Sequence, residues 1–277
     1  MRFLVPLKWT PTRTEIAPLT AVASVEPGRY GLDPSSLAAL QWAARLAEPV
    51  DAEVVTVTVG PPEAEAGLRH ALALGADGAA RIEAPAGVAS LDVAAALAPL
   101  AEAADVVLLG ARSLDRGSAS VAPALGALLD RAAACGLLSV AWEDGALLAE
   151  RRLPAGRREH VRVGLPAVIS LEAGTIDVPR APLPALLDAG VAGVEVISPS
   201  RPLVPAPAGT VVPYRPRPRT VPPRPAGDEP RERIASISGA LETGSGAQQL
   251  ELPPEEAAAE IVATLRRWGY LEADEPA

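Results

Sequence analysis

The sequence predicts an α/β protein on a doubly wound parallel sheet, with an antiparallel excursion in its second half and an extended C-terminal arm and helix. Three observations predict it. In the first half, four apolar or β-branched runs are each followed by apolar residues at helical spacing, the alternation of parallel crossover units. After residue 131 the pattern turns to alternating residues interrupted by Asp144-Gly145, a hairpin signal. From residue 199 prolines crowd the chain, which excludes a sheet interior, before one last amphipathic stretch.

Residues 1–8, MRFLVPLK, run apolar into a proline and a lysine and predict the first strand. Residues 10–32 have no helical period and many turn residues, and predict a long loop or a short hairpin. Asp33 before Pro34 is an N-cap with proline at the first helical position, and Leu37, Leu40, Ala44 and Ala47 continue one face. AEVVTVTVG, 52–60, is a β-branched second strand. A helix opens at Pro61 with acidic residues in its first turn and stops at Gly75. AARIE, 79–83, is a third strand, and 90–104 a third helix.

The run Val106, Val107, Leu108, Leu109, ending at Gly110, has no polar side to offer water, so it reads as a central strand buried on both faces. A polar loop follows, then Val121, Leu125, Leu128 and Leu129 at helical spacing to about Arg131. Gly117, Ser118, Ala119, Ser120 and Val121 have small side chains, and their backbone amides at a helix start suit a phosphate. The same layout equally serves a plain N-cap that binds nothing.

Residues 136–174 predict a strand into the sheet, an antiparallel excursion, and a return strand at 165–172. A proline-punctuated loop and short helix at 175–190 lead to an edge strand at 193–198. The expected domains are therefore 1–198, a Pro-rich arm at 199–252, and a C-terminal helix and tail at 253–277. Ile261, Val262, Leu265 and Trp268 share one face of that helix, with Arg266 and Arg267 in its last turn and Gly269 as its stop. The face needs cover from its own domain or from a partner, and Ile261, Leu265 and Trp268 are its docking residues.

A net charge of -9 argues against nucleic acid, which needs a basic face. One cysteine excludes an internal disulfide, and two separated histidines offer no metal or triad site. No 18-residue apolar run or leader appears, and a cytoplasmic protein is expected. No residue reads as catalytic. Asp105 starts its strand at the end away from the loop, Arg112 and Asp115 shape the turn, and Cys135, placed after a helix, reads as a small core residue.

Five blocks, in order, resemble one family. MRFLVPLKWTP, LDPSSLAALQWAARL, VTVGPPEAEAGLRHALALGADGAARIE, VVLLGARSLDRGSASVAPALGALLD and GLPAVISLEAG are similar to the β subunit of electron transfer flavoproteins. The resemblance implies a Rossmann-like nucleotide-binding domain and a heterodimer with an α subunit that holds, or shares, FAD. It implies AMP, or a second FAD, in this chain, and electrons arriving from a flavin- or other cofactor-dependent dehydrogenase. Carried over by position, the cofactor contacts are Leu7, Lys8, Asp33, Val59, Gly60, Gly110, Ala111, Arg112, Asp115 and Gly117 through Val121. Thr175 and Ile176 fall in the family's dehydrogenase-recognition loop.

Departures accompany the match. Ala119, Ser120, Val121 and Ala122 stand where the housekeeping type has Asn-Gln-Thr-Gly, and Asp33 stands in place of Asn; Ala119, Val121 and Pro123 look closer to the electron-bifurcating type. Thr175 replaces a docking leucine. The changed loop, the arm and RERIASISGAL at 231–241 resemble the actinobacterial branch associated with mycofactocin. The rival reading is a stand-alone adenine-nucleotide binder of the stress-protein kind, which has no use for the arm and terminal helix. An ATP-using enzyme on the same sheet would need a Ser-Gly-Gly type loop where this chain has Trp9, Thr10 and Pro11.

Overall fold

A computed structural model describes residues 1–16, 23–24, 29–207, 229–238 and 250–271. The chain divides into two units, Met1–Tyr214 and Arg215–Ala277.

In the first unit β1 (Arg2–Pro6) leads into an antiparallel arm. There β2 (Trp9–Pro11) pairs with β5 (Tyr30–Leu32), and β3 (Glu15–Ile16) pairs with β4 (Ala23–Ser24). This is the hairpin alternative for the 10–32 stretch, whose residues 17–22 and 25–28 lie outside the described ones. Three crossover units follow: α1 (Pro34–Ala47) to β6 (Glu53–Gly60), α2 (Glu65–Ala73) to β7 (Gly78–Glu83), and α3 (Ser90–Ala101) to β8 (Val106–Gly110). Asp33 caps α1 as its spacing predicts, its Oδ1 accepting from Ser35 N. After α4 (Val121–Leu128), β9 (Ala132–Glu143), β10 (Ala146–Arg152) and β11 (Arg158–Val163) form the antiparallel excursion. Asp144 (φ 47) and Gly145 (φ +74) make its first turn, both left-handed as the primed hairpin turn requires. The unit continues through β12 (Ala167–Leu171), α5 (Leu183–Val191) and β13 (Glu195–Ile197).

The nine-stranded sheet has the order β11-β10-β9-β12-β8-β1-β6-β7-β13. β8 is its middle strand, and its side chains show why an unbroken apolar run was needed. Val106 and Leu108 enter the core beneath α1 and α2 with Phe3, Leu40, Trp42 and Leu68, while Val107 and Leu109 enter the opposite core beneath α3 and α4 with Val57, Leu97 and Leu125. Both faces are covered, so neither tolerates a polar residue.

One element differs from the sequence reading. The helix expected to reach about Arg131 ends at Leu128, and a strand begins at Ala132. Asp130 turns left-handed (φ 51) and Arg131 N bonds Gly126 O, which closes the helix. The Ala132–Ala134 run has no period of its own, and pairing with β12 makes it strand. Cys135 therefore lies within β9, half-buried against the second core, and does not follow a helix.

At the sheet margin β11 presents Arg158, Glu159, His160 and Arg162. Arg158 pairs with Glu150 (2.9 Å), Arg162 with Glu143 (3.2 Å), and Glu159 with Arg151. In the second unit α6 (Pro230–Ser238) forms inside the stretch read as an extended arm, and α7 (Pro254–Arg267) matches the expected terminal helix. The rest of that arm, 208–228 and 239–249, lies outside the described residues. On α7, Ile261 and Trp268 are 60% and 67% exposed and Leu265 is half-buried. Among the described residues no helix is long and apolar enough to cross a membrane.

Candidate functional site

Beyond β1 the chain runs on through α1 to β6 and β7 on one side of the sheet, and β8 and β12 lie on the other. The direction of winding reverses between β1 and β8. A crevice opens at such a point outside the carboxyl ends of the strands, where ligands bind in open α/β sheets. Here it is a cavity of about 1020 Å³ bounded by the ends of β1, β6 and β8.

Glycine at the end of β8 makes the wall possible. A Cβ at Gly110 would lie 2.3 Å from Ser35 Oγ and 2.8 Å from both Ser35 C and Ser36 N, so the first turn of α1 rests directly on this backbone. Ser35 Oγ lies 2.6 Å from Arg112 O and 2.6 Å from Asp33 Oδ1, its one proton serving both. Asp33 is 1% exposed, and its Oδ2 accepts from Leu114 N at 2.7 Å. The capping carboxylate thus ties the start of α1 to the loop after β8. Ser36 Oγ accepts from Lys8 N (3.0 Å), and Lys8 O accepts from Asp33 N (3.0 Å), which fastens the exit of β1 to the same turn.

The loop itself is held open toward the cavity. Lys8 Nζ pairs with Asp115 at 3.1 Å. Burial pushes the Asp115 carboxyl up, but a hydrogen bond from Ser113 and the Lys8 ammonium outweigh it, and the group sits below its ordinary value. Gly117 and Ala119 take left-handed backbone (φ +61 and 54). Ser118 Oγ lies 3.2 Å from Ser90 Oγ and 2.9 Å from Ser120 Oγ. Among the described residues no group accepts a hydrogen bond from the amides of Ser118, Ala119, Ser120, Val121 or Ala122. Five free donors at the start of α4, on its positive dipole end, make an anion-binding set.

Of the cofactor positions expected from the sequence, Leu7, Lys8, Asp33, Val59, Gly60, Gly110, Ala111, Arg112, Asp115, Ser118, Ala119, Ser120 and Val121 all line this cavity. Gly117 does not. Its amide, expected in the phosphate cradle, donates to Ser113 O (2.9 Å), so the residue turns the loop. Asp33 lines the wall with both oxygens already engaged, which makes it a brace of the loop. Sequence reading missed Trp9 and Tyr30, whose rings stack (6.2 Å, 20°) and which line the cavity, along with Ser35, Ser36 and the 85–90 connection. The Ser-Ser pair after the Asp-Pro cap was the available signal for two of them.

Of the expected docking residues, Thr175 and Ile176 lie off the cavity lining. Thr175 Oγ1 donates to Glu172 O (2.9 Å) and accepts from Trp42 Nε1 (3.0 Å), and Ile176 packs on the first core, so both side chains face inward. Among the described residues no cluster of three metal-binding side chains occurs.

Comparison with known proteins agrees with this geometry. The model of the electron transfer flavoprotein domain matches residues 21–202. The human electron transfer flavoprotein subunit beta is 32% identical over 178 residues, covering 62% of this chain and 69% of the human one. The subunit beta of Thermoanaerobacterium thermosaccharolyticum is 32% identical over 188 residues (66% and 72%), and protein FixA of Rhizobium meliloti is 29% identical over 185 (62% and 63%). With the domain matched over residues 21–202, which hold most of the sheet, and relatives of this kind covering about two thirds of the chain, the chain belongs to the electron transfer flavoprotein family and stands among its β subunits.

Proposed function

We propose that the chain is the β half of a heterodimeric electron carrier. It pairs with an α-type subunit that holds or shares FAD, takes electrons from a flavin- or other cofactor-dependent dehydrogenase and passes them to a downstream acceptor. The cavity carries AMP or a second FAD. The single observation behind this is the set of free amides at 118–122 at the winding reversal of the sheet, in a chain of this family.

The residues present suit a nucleotide. The amide side chains that the housekeeping type has at 119 and 120 are missing here, which weakens side-chain recognition and leaves the phosphate to the backbone donors, which can hold it by themselves. A cavity of about 1020 Å³ admits a mononucleotide or a dinucleotide. Asp33, Ser35 and Gly110 fix the loop, and Trp9 and Tyr30 offer ring faces. Flavin, when bound, supplies the redox chemistry. The chain binds and orients, and no residue is assigned a bond-making step.

The face of α7 that carries Ile261, Leu265 and Trp268, with Ile261 and Trp268 exposed, is proposed to pair with the α subunit, and the 175–179 loop to face the dehydrogenase. Domain bounds at 198 and 252, the mycofactocin-associated branch and a cytoplasmic setting belong to the same proposal. No observation favours a stand-alone adenine-nucleotide binder.

Co-purification with an α-type subunit, acid release of ligands and quantification of FAD and AMP by mass spectrometry tests the reading. One FAD with one AMP establishes the simple carrier; two FAD place a flavin in this cavity. A pair without ligand in this subunit, or no pair at all, refutes it. Ile261→Asp with Trp268→Ala is expected to abolish pairing and leave the melting of the first unit unchanged.

A further inference from the structure

Arg116 belongs to the loop after β8, yet its guanidinium leaves that loop. It donates from Nη1 to Val88 O (3.0 Å) and from Nη2 to Gly87 O (2.5 Å), two carbonyls of the connection between β7 and α3. The same two residues also hold the outgoing chain. Ala206 N donates to Gly87 O at 2.9 Å, and Val88 forms an antiparallel bridge with Pro205. Gly87 O thus accepts one donor from the cavity loop and one from the start of the arm. Gly87 is left-handed (φ +83), and a Cβ there would meet Arg116 Nη2 and Pro205 Cβ, each at 3.9 Å. Upstream, Ser198 Oγ donates to Glu83 (3.0 Å), Arg201 pairs with Asp92, and Leu203 packs on the second core. Gly87, Val88 and Arg116 all line the cavity.

We infer that Arg116 is a positioning residue that couples the phosphate-side loop of the cavity to the anchoring of 198–207, the stretch from which the C-terminal arm departs. A forked guanidinium fixes two carbonyls at once, and the orientation of Gly87 O decides whether Ala206 keeps its acceptor. Ordering the 116–121 loop around an anion therefore tightens the arm's root, and an anchored root holds the loop in its binding form, since coupling between two sites is reciprocal. The ligand half of this inference rests on the nucleotide reading above; the latch itself does not.

Amide exchange on the full-length chain tests it, followed by mass spectrometry on peptides covering 84–90, 113–121 and 203–207. Without ligand, Arg116→Ala is expected to raise exchange at Ala206 on the order of tenfold, the loss of one charge-assisted hydrogen-bonding group, and Arg116→Lys to restore part of the protection. Arg131→Ala is the control. Its guanidinium also binds carbonyls (Ala101, Glu102 and Ala104) but none near the arm, so it should leave Ala206 unchanged. Unchanged exchange at Ala206 in Arg116→Ala, or equal loosening in Arg131→Ala, overturns the latch. With AMP added, protection is expected at 116–121 and at 206 in the natural chain, and only at 116–121 in Arg116→Ala. Protection of the loop with none at 206 overturns the coupling and spares the nucleotide reading. No protection at either segment refutes AMP as ligand, and the unliganded comparison then decides the latch alone.

Discussion

Replacing Gly110 by alanine puts a methyl group where α1 and β8 meet backbone to backbone. The added Cβ lies 2.3 Å from Ser35 Oγ and 2.8 Å from Ser35 C and Ser36 N. Rotating the Ser35 hydroxyl away relieves the first contact only by surrendering its bonds to Asp33 and Arg112, and the other two contacts are backbone. Loss of the hydroxyl interactions at about 1 kcal/mol and overpacking at roughly 1–3 kcal/mol sum to about 2–4 kcal/mol, a fall in Tm of roughly 5–15 °C for a unit of this size. Gly60→Ala is the paired control. Its Cβ would sit 3.5 Å from Ala64 Cβ, an ordinary contact, so the change should stay within about 0.5 kcal/mol. Fluorescence of Trp9, Trp42 and Trp142 during thermal unfolding of both variants reads the difference. A Gly110→Ala Tm within about 2 °C of the natural chain, or an equal loss in Gly60→Ala, would refute the close-approach argument.

Three further outcomes are expected. Asp33→Asn sets an amide donor against Leu114 N–H or Ser35 N–H and should cost about 1–3 kcal/mol by urea unfolding; unchanged stability would show that the loop is held elsewhere. Ser120→Asp adds a carboxylate beside the free amides. Calorimetry should show AMP affinity falling at least on the order of tenfold with Tm unchanged or slightly raised, because a negative charge suits a helix start; undiminished affinity would place the phosphate elsewhere. The Asp115 carboxyl is held low in the folded chain, so its stabilisation is present above the unfolded carboxylate value of about 3.9 and is lost as pH falls through the lower native value. Both partners are partly exposed, so the Lys8 share is about 0.2–1 kcal/mol. Lys8→Met should flatten the acid limb of a stability-against-pH series by that amount, and an unaltered limb would show that Ser113 and the Arg116 amide lower the group without Lys8.

The sheet was legible because its central strand has no polar face and its helices carry their own punctuation: Asp33-Pro34, Gly75 and Gly269. The stop of α4 was not, because Ala132–Ala134 suits helix and strand alike and only pairing with Ala167 and Val168 decides. At the cavity, position along the strands located the wall, since residues just past β1, β6 and β8 must converge there. The direction of individual groups was hidden. Nothing in the spacing says that Gly117 N–H is consumed by Ser113, that Asp33 divides its oxygens between the first turn of α1 and the loop, or that Arg116 reaches the far connection. Trp9 and Tyr30 come together only because β2 and β5 pair across residues with no periodic signal.

The charged strand at the margin of the sheet bears on how this chain meets other proteins. Among the described residues the nine-stranded sheet ends in β11 and β13, and an apolar edge strand invites another chain to add itself. At one end β13 is only three residues long. At the other, β11 carries arginine, glutamate and histidine engaged in cross-strand pairs, so an incoming strand would have to break those pairs and bury their charges. Lateral growth of the sheet is thereby discouraged in both directions, and association is left to helix faces and loops, whose contacts can form and part without unzipping a ladder of backbone hydrogen bonds.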